Sequence, residues 1–427
     1  MAALMLIVFL ALLAIGAPLF VAMLAGALSG ILCLGDLSLL KVMAQQFFGG
    51  MDVFSLMAIP LYILAGILMN KAEVTDRLLE LSEALVGRVR GGLGYVNVVA
   101  SMLFAGVNGS AAADSSALGV ILIPTMVKQG YPPSYAAGIT AGSSLIGPII
   151  PPSIFMILYA SMTGTSVGGL FLAGVVPGVL LGFAFLLMNY YYSRKYDFPY
   201  STKSYTWGEK LQVVRRSLIA LIGPFIILGG IATGIVTPTE SGALAVAYVA
   251  LAGIFITKRL TWARIAEAVF ETVRLTSSIF VMIGAAAVVG WLLKWQQAPQ
   301  EFAALVMGFT HSPVAIMLIL TGLTFVLGMF MEEIATLALL TPIFTPIAMA
   351  AGIDPLHFGI VMSLNVTIAL ITPPMGACLF IVSAVGKVKL DEVFRTIWPF
   401  AAVALATVLL VIVFPALATA VPRMLGL

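Results

Sequence analysis

The chain has 427 residues, 61% of them hydrophobic and only 9% charged, with a net charge of +3. Soluble domains carry about 25% charged residues, so a water-soluble globule is excluded and much of the surface must be met by lipid. Cys33, Cys378, His311 and His357 are scattered and give neither a disulfide framework nor a metal-ligand spacing; there is no Gly-x-x-x-x-Gly-Lys loop for ATP, and no catalytic constellation points to an enzyme.

Apolar runs begin with the first residues. Residues 4–34, 54–69, 167–190 and 402–420 are long enough, at about 1.5 Å per residue, to reach across about 30 Å of hydrocarbon. Barrel strands would instead alternate over about 10 residues, so these continuous runs predict a polytopic all-α membrane protein. The first run lacks a basic flank and exceeds the apolar core of a secretory signal; it is expected to be the first membrane helix. Residues 76–89 and 261–274 carry polar faces and read as two amphipathic helices in the interface, either bracing a mobile part or simply lying there.

Eighteen of the 21 Lys and Arg fall into four groups. These are Lys71, Arg77, Arg88, Arg90 and Lys128; Arg194, Lys195, Lys203, Lys210, Arg215 and Arg216; Lys258, Arg259, Arg264 and Arg274; and Lys387, Lys389 and Arg395. If positive charge stays inside, an even number of crossings separates successive groups. Two spans fit between Lys128 and Arg194, and two more between Arg216 and Lys258, turning at Thr237-Pro238-Thr239. The stretch between Arg90 and Lys128, interrupted at Asn108-Gly109-Ser110, must enter and leave on one side. A second re-entrant stretch at Met331-Glu332-Glu333, with one span on either side, fits between Arg274 and Lys387. The expected N-terminus is cytoplasmic and the C-terminus periplasmic.

A shift of 222 residues aligns Gly106 with Gly328, Pro124 with Pro346, Gly130 with Gly352 and Pro133 with Pro355. It also aligns Pro151-Pro152 with Pro373-Pro374, Gly164 with Gly386 and Pro177 with Pro399. Proline and glycine dictate backbone shape, so the repeat is one of architecture. On the topology above the copies enter from opposite sides, and inverted repeats with interrupted helices are a hallmark of secondary transporters.

Each copy supplies two breaks. The first has Gly106 to Ser110 with Asp114, Ser115 and Ser116, then Gly142-Ser143-Ser144 before Gly147-Pro148 and Pro151-Pro152-Ser153. The second has Gly328 to Glu333, then Asn365-Val366-Thr367 before Thr372-Pro373-Pro374 and Gly376. Irregular backbone at membrane depth is tolerated only where it is buried or lines a cavity. Its carbonyls, with Ser, Thr and Asn oxygens, form a hard cage suited to Na+. Candidate Na+ ligands are Asn108, Ser110, Ser115, Ser143, Ser144, Gly328, Asn365, Thr367 and Thr372. Freed N–H groups at half-helix N-termini suit a carboxylate, which marks Gly109, Ser110, Gly147, Pro151, Ser153, Glu332, Pro373 and Gly376 as candidate substrate contacts. Asp114, Glu240 and Glu333 are further acids near predicted membrane depth, where ionisable groups are functional candidates.

These segments also carry a family likeness. Asn108-Gly109-Ser110-Ala111-Ala112-Ala113-Asp114, Ile123-Pro124-Thr125-Met126 through Gly130-Tyr131, Pro151-Pro152-Ser153, Val236-Thr237-Pro238-Thr239-Glu240 and Ile371-Thr372-Pro373-Pro374-Met375-Gly376 follow one another in order. Together they give a chain that resembles the large membrane subunit of tripartite ATP-independent periplasmic (TRAP) transporters. The resemblance implies an elevator-type transporter of the ion-transporter superfamily in a bacterial inner membrane, with Na+ as coupling ion and no other cofactor. It also implies a small four-helix membrane subunit and a periplasmic substrate-binding protein, both as separate polypeptides. The substrate would be a C4-dicarboxylate, sialic acid, keto acid or sugar acid.

The expected division is 1–92 for scaffold helices and a first arm, 93–165 for a first transport repeat, and 166–275 for scaffold helices and a second arm. A second transport repeat would follow at 276–388 and a final membrane helix at 389–427. A stand-alone Na+/dicarboxylate symporter of the same superfamily is the alternative reading; a passive anion channel would need a pore but no inverted pair of broken helices.

Overall fold

The run at residues 4–34 is not one helix. Gly16, at φ +80, and Pro18 split it into α1 (Ala2–Ala14) and α2 (Leu19–Leu34), which pack against each other. A left-handed glycine ends the first ladder, and the proline cannot donate to a continuing one. The structure, a computed structural model, describes residues 1–200 and 205–426, apart from the side chains of Ala2, Thr75, Val107 and Asn108. Lys203 of the second basic group and the side chain of Asn108 therefore lie outside the described residues.

The chain continues through α3 (Leu39–Met51), α4 (Ala58–Lys71) and α5 (Thr75–Val86). A helical hairpin follows, α6 (Gly92–Asn108) and α7 (Ala111–Lys128), then an interrupted helix, α8 (Pro133–Ser144) and α9 (Ile154–Thr163), and the long α10 (Val167–Lys195). Next come α11 (Trp207–Ala232), α12 (Pro238–Leu251), α13 (Trp262–Trp295) and α14 (Ala298–Phe309). A second hairpin, α15 (Pro313–Gly328) and α16 (Glu333–Ala350), leads to a second interrupted helix, α17 (Pro355–Ala369) and α18 (Ala377–Gly386). The chain ends with α19 (Leu390–Val413) and α20 (Ala416–Met424), so the apolar run 402–420 is also divided, at Pro415. Among the described residues there is no β-strand, only an isolated bridge between Arg90 and Tyr200. Among the described residues, eight helices are long and apolar enough to cross a membrane.

The 222-residue offset holds element by element. α7 and α16 start at 111 and 333 and end at 128 and 350. α8 and α17 both open on proline, Pro133 and Pro355, at the position where a missing N–H is harmless. Both breaks contain a cis Pro–Pro bond, Pro151-Pro152 and Pro373-Pro374. The 12 residues of α8 reach only about 18 Å, short of the hydrocarbon thickness, so two halves are needed where one helix would serve. The repeat also reaches further back than the proline pattern: α5 and α14 each have 12 residues, at an offset of 223.

The copies run in opposite senses. The first begins among the basic groups: Gly91 N–H donates to Pro199 O at 3.1 Å, and Tyr135 donates to Asn189 Oδ1 at 2.8 Å. Phe400, in the first half of α19, packs on Tyr135 and Tyr192. The second copy begins at the other end of α19, where His357 hydrogen-bonds the Val411 carbonyl at 2.8 Å and Asp354 pairs with Arg423 at 3.4 Å. The copies also interlock: α18 of the second packs on α7 of the first, and α9 of the first on α16 of the second.

Three basic groups meet at one end. Lys71 pairs with Glu267 at 3.0 Å and Glu271 at 3.5 Å, Glu73 with Arg259 at 3.1 Å, and Arg77 donates to the Arg216 carbonyl at 3.1 Å. Residues 261–274, expected as a separate amphipathic helix, form the cap and first turns of α13, which runs unbroken through the boundary expected after residue 275.

Candidate ion and substrate site

The first interrupted helix ends in a buried cluster of hydroxyls. Asn97 Nδ2 donates to Thr140 Oγ1 at 2.7 Å, Ser143 donates to Asn97 Oδ1 at 3.1 Å, and Ser101 donates to Ser143 at 3.0 Å. Ser144 accepts from Ser115 at 2.7 Å and donates to Ala141 O at 2.8 Å, with Cys378 Sγ of the other copy 3.9 Å away. Ser115, Ser143 and Ser144 are thus brought together, whereas Ser116 is exposed on α7. Asn97, Ser101 and Thr140 were not anticipated. Their signal is in the sequence: Asn97 and Ser101 sit four apart in an otherwise apolar helix, hence on one face.

Asp114 is fully buried one turn into α7, and a Cβ at Gly147 would come within 2.9 Å of its Oδ2. The glycine therefore lets the broken segment lie against the carboxylate. At the hairpin tip Gly109 has φ +56, and a Cβ there would run into the Pro152 carbonyl oxygen. Ser110 and Ser153 act as helix N-caps, accepting from Ala113 N and Met156 N, each at 3.4 Å. Gly109, Pro152 and Ser153 thus form a closed contact between the first tip and the first break, with the Pro151 carbonyl lying towards Gly106 instead.

The second half is more open. Asn365 Nδ2 donates to Thr321 O at 2.6 Å, while Asn365 Oδ1, Thr321 Oγ1 and Ser363 Oγ are buried without a hydrogen-bond partner among the described residues. Thr367 and Thr372 donate to carbonyls of their own helix or its continuation, Ser363 O at 2.6 Å and Ile368 O at 2.8 Å, which leaves their lone pairs available. Between the second hairpin tip and the second break lies a cavity of about 390 Å³, lined by Gly328, Glu332, Glu333, Val366, Leu370 and Gly376 among others. No Lys or Arg lines it among the described residues. Glu332 is the N-cap of α16, accepting from Ala335 N at 3.1 Å. Pro373 is placed in the break but outside the lining.

Glu240 does not join either cluster. It is exposed, and its carboxylate accepts from Thr237 N and Thr237 Oγ1, both at 2.8 Å, in a capping box at the start of α12. The Thr-x-x-Glu spacing explains this acid as a helix start.

Comparison with known proteins follows the same outline. The family model described as "Tripartite ATP-independent periplasmic transporter, DctM component" matches residues 6–417. The sialic acid TRAP transporter large permease protein SiaM of Vibrio cholerae is 38% identical over 381 residues, covering 89% of each chain. The C4-dicarboxylate TRAP transporter large permease protein DctM of Pseudomonas aeruginosa is 38% identical over 404 residues, covering 95% of this chain and 94% of its own. The 2,3-diketo-L-gulonate TRAP transporter large permease protein YiaN of Escherichia coli is 36% identical over 379 residues, covering 89% of each. Among solved structures, the YdaH transporter of Alcanivorax borkumensis superposes with a TM-score of 0.63 at 14% identity, over 89% of this chain and 88% of that one; the likeness is one of fold.

Proposed function

The chain belongs to the DctM-component family of tripartite ATP-independent periplasmic transporters, and from that premise we propose that it is a Na+-coupled subunit importing a small organic anion. It is a polytopic membrane permease and not an enzyme. The observation that carries the coupling is Asn365 Oδ1, buried at the second break with no partner among the described residues, beside a cavity that no described Lys or Arg lines. Leaving such an oxygen buried and unpaired costs about 1–3 kcal/mol; a Na+ ion ligated there recovers that cost and places positive charge beside the substrate. The matching position of the first copy, Ser143, provides the related second ion site, with Ser144 and Ser115 next to it.

A cavity of about 390 Å³ suits a small organic acid, the class to which the substrates named for the relatives belong. The hairpins α6–α7 and α15–α16, with both interrupted helices, form the mobile transport part. α1 to α4, α11, α12 and most of α13 form the scaffold, α5 serves as an arm, and the end that gathers the basic groups faces the cytoplasm of a bacterial inner membrane. A small membrane subunit and a periplasmic binding protein complete the transporter. The test is uptake into proteoliposomes with purified partners. Accumulation that requires both a Na+ gradient and the binding protein is expected. Uptake without the binding protein would make the chain a stand-alone symporter, and non-saturable, Na+-independent flux would make it a channel.

A further inference from the structure

Away from both breaks, a cavity of about 870 Å³ opens between the end of α5, the start of α6 and the last turns of α10. Three guanidinium groups line it: Arg88, Arg90 and Arg194. Arg90 is committed to Asp197 and donates to Phe198 O at 3.4 Å. Arg194 lies over the Tyr190 ring at 4.9 Å, and neither it nor Arg88 makes an ion pair with a described residue. No Asp or Glu lines the cavity among the described residues. Apart from Ser193 the remaining wall is apolar or aromatic, with Leu85 58% and Val89 48% exposed.

Position and chemistry together select the occupant. Arg194 is in the final turn of a 29-residue apolar helix, beside Tyr190, Tyr191, Tyr192 and Tyr196, and tyrosines gather at the level of lipid headgroups. A free phosphate would be served by the arginines alone and has no use for Leu85 and Val89. A phosphodiester with acyl chains uses both walls, and basic pockets between helix ends on the cytoplasmic side bind such headgroups. We propose that this cavity is a binding site for the headgroup of an anionic phospholipid, with Arg88 and Arg194 holding the phosphate and Leu85, Val89 and Tyr190 receiving the glycerol and upper acyl chain.

The site lies on a corner. Gly91, at φ +73, turns the chain from α5 into α6, and its carbonyl accepts from Asn189 Nδ2 of α10 at 3.3 Å. A bound lipid would therefore touch both sides of the joint between the amphipathic helix and the first hairpin.

The experiment is native mass spectrometry of the full-length purified permease with phosphatidylglycerol, cardiolipin and phosphatidylcholine. Retention of the two anionic lipids over phosphatidylcholine is expected, with a loss of about tenfold or more in affinity in the double variant Arg88→Gln/Arg194→Gln and partial retention in Arg88→Lys/Arg194→Lys. Equal retention of phosphatidylcholine would overturn the proposal, as would unchanged binding in the Gln variant. Displacement of the lipid by millimolar inorganic phosphate would identify a free anion site instead. A photoactivatable phosphatidylglycerol gives a reading on the wild type that needs no variant: crosslinks should fall on the segments containing Val89 and Tyr190, and an absence of crosslinks there would sink the assignment.

Discussion

Ser110 and Glu332 occupy the same place in the two halves of the protein. Each is the N-cap of the second hairpin helix, and each accepts from the backbone N–H three residues on, Ala113 at 3.4 Å and Ala335 at 3.1 Å. The 222-residue offset relates both members of the pair. A carboxylate in one copy and a hydroxyl in the other do one job, which separates the cap from any substrate contact Glu332 also makes.

That equivalence makes the first prediction. Glu332→Ser keeps an N-cap and removes the charge, whereas Glu332→Ala removes both and costs about 1 kcal/mol of stability. Thermal unfolding of the purified protein should show Ser close to wild type and Ala lowered. If transport also survives in Glu332→Ser, the carboxylate acts only as a cap; if stability survives and transport fails, it also contacts the substrate.

Gly109 supports a second prediction. Its left-handed φ of +56 and the Pro152 carbonyl facing it leave no room for a Cβ. Gly109→Ala adds a left-handed penalty of about 1–2 kcal/mol to the clash, and the first tip can then not close on the first break. Uptake should fall sharply while the protein still reaches the membrane. Normal uptake by this variant would show that the closed contact is dispensable.

How much of this was legible follows from what each signal depends on. The repeat was legible because prolines and glycines fix backbone shape without help from neighbours, and α7 and α16 obey the offset to the residue. The pairing of Ser143 with Asn365 came from the same offset, but their surroundings did not. Asn97 and Ser101 show a shared polar face at helical spacing, but which cluster that face joins, and the approach of Thr321 to Asn365, depend on packing between helices that no local pattern encodes. The division of residues 4–34 was signalled by Gly16 and Pro18, a turn chemistry outweighed in the reading by the length of the apolar run. Glu240 was singled out because the Thr237-Pro238-Thr239-Glu240 segment lies between apolar runs; its capping-box spacing was also legible there and accounts for the cap it forms.

Orientation is checked at the start of α11. Gly208 is exposed with open space around it, so Gly208→Cys is structurally harmless. Cys33 is exposed and Cys378 buried, so the background needs only Cys33→Ser. The second basic group predicts a cytoplasmic location. A membrane-impermeant maleimide should label the cysteine in inverted vesicles and not in intact spheroplasts; the reverse pattern would turn the proposed topology over.

The two proposed ion sites can be separated by their different surroundings. Asn365 Oδ1 has no partner among the described residues to fall back on, whereas Ser143 already exchanges hydrogen bonds with Asn97 and Ser101. Asn365→Leu, of similar volume, should raise the half-saturating Na+ concentration about tenfold, since a bond to a charged group contributes about 1.5–3 kcal/mol. Ser143→Ala should raise it less, because neighbouring oxygens remain. Unchanged Na+ dependence in Asn365→Leu, at normal expression, would remove the second break from the ion path.

The substrate's charge gives the last test. Residues 106–126, 138–176, 321–349 and 358–386 contain no Lys or Arg, so both hairpin tips and both breaks lack a fixed cation, and the cavity itself carries Glu332 and Glu333. A fixed cation would hold an anion but must itself be carried through the membrane, at a cost of several kcal/mol unless paired. An ion that binds only when the substrate is to move avoids that cost. On the proposed reading, backbone N–H groups at the half-helix starts and the break hydroxyls would orient the carboxylate, and Na+ would offset the two glutamates. Reciprocity of binding requires that substrate also raise the affinity for Na+ by the same factor. Replacing Na+ with choline should therefore weaken substrate binding to the purified complex by at least about tenfold, and saturating substrate should tighten Na+ binding equally. Equal substrate affinity in the two salts would break the coupling, and a substrate-bound structure with a Lys or Arg of this chain on the carboxylate would replace backbone capture with a fixed charge.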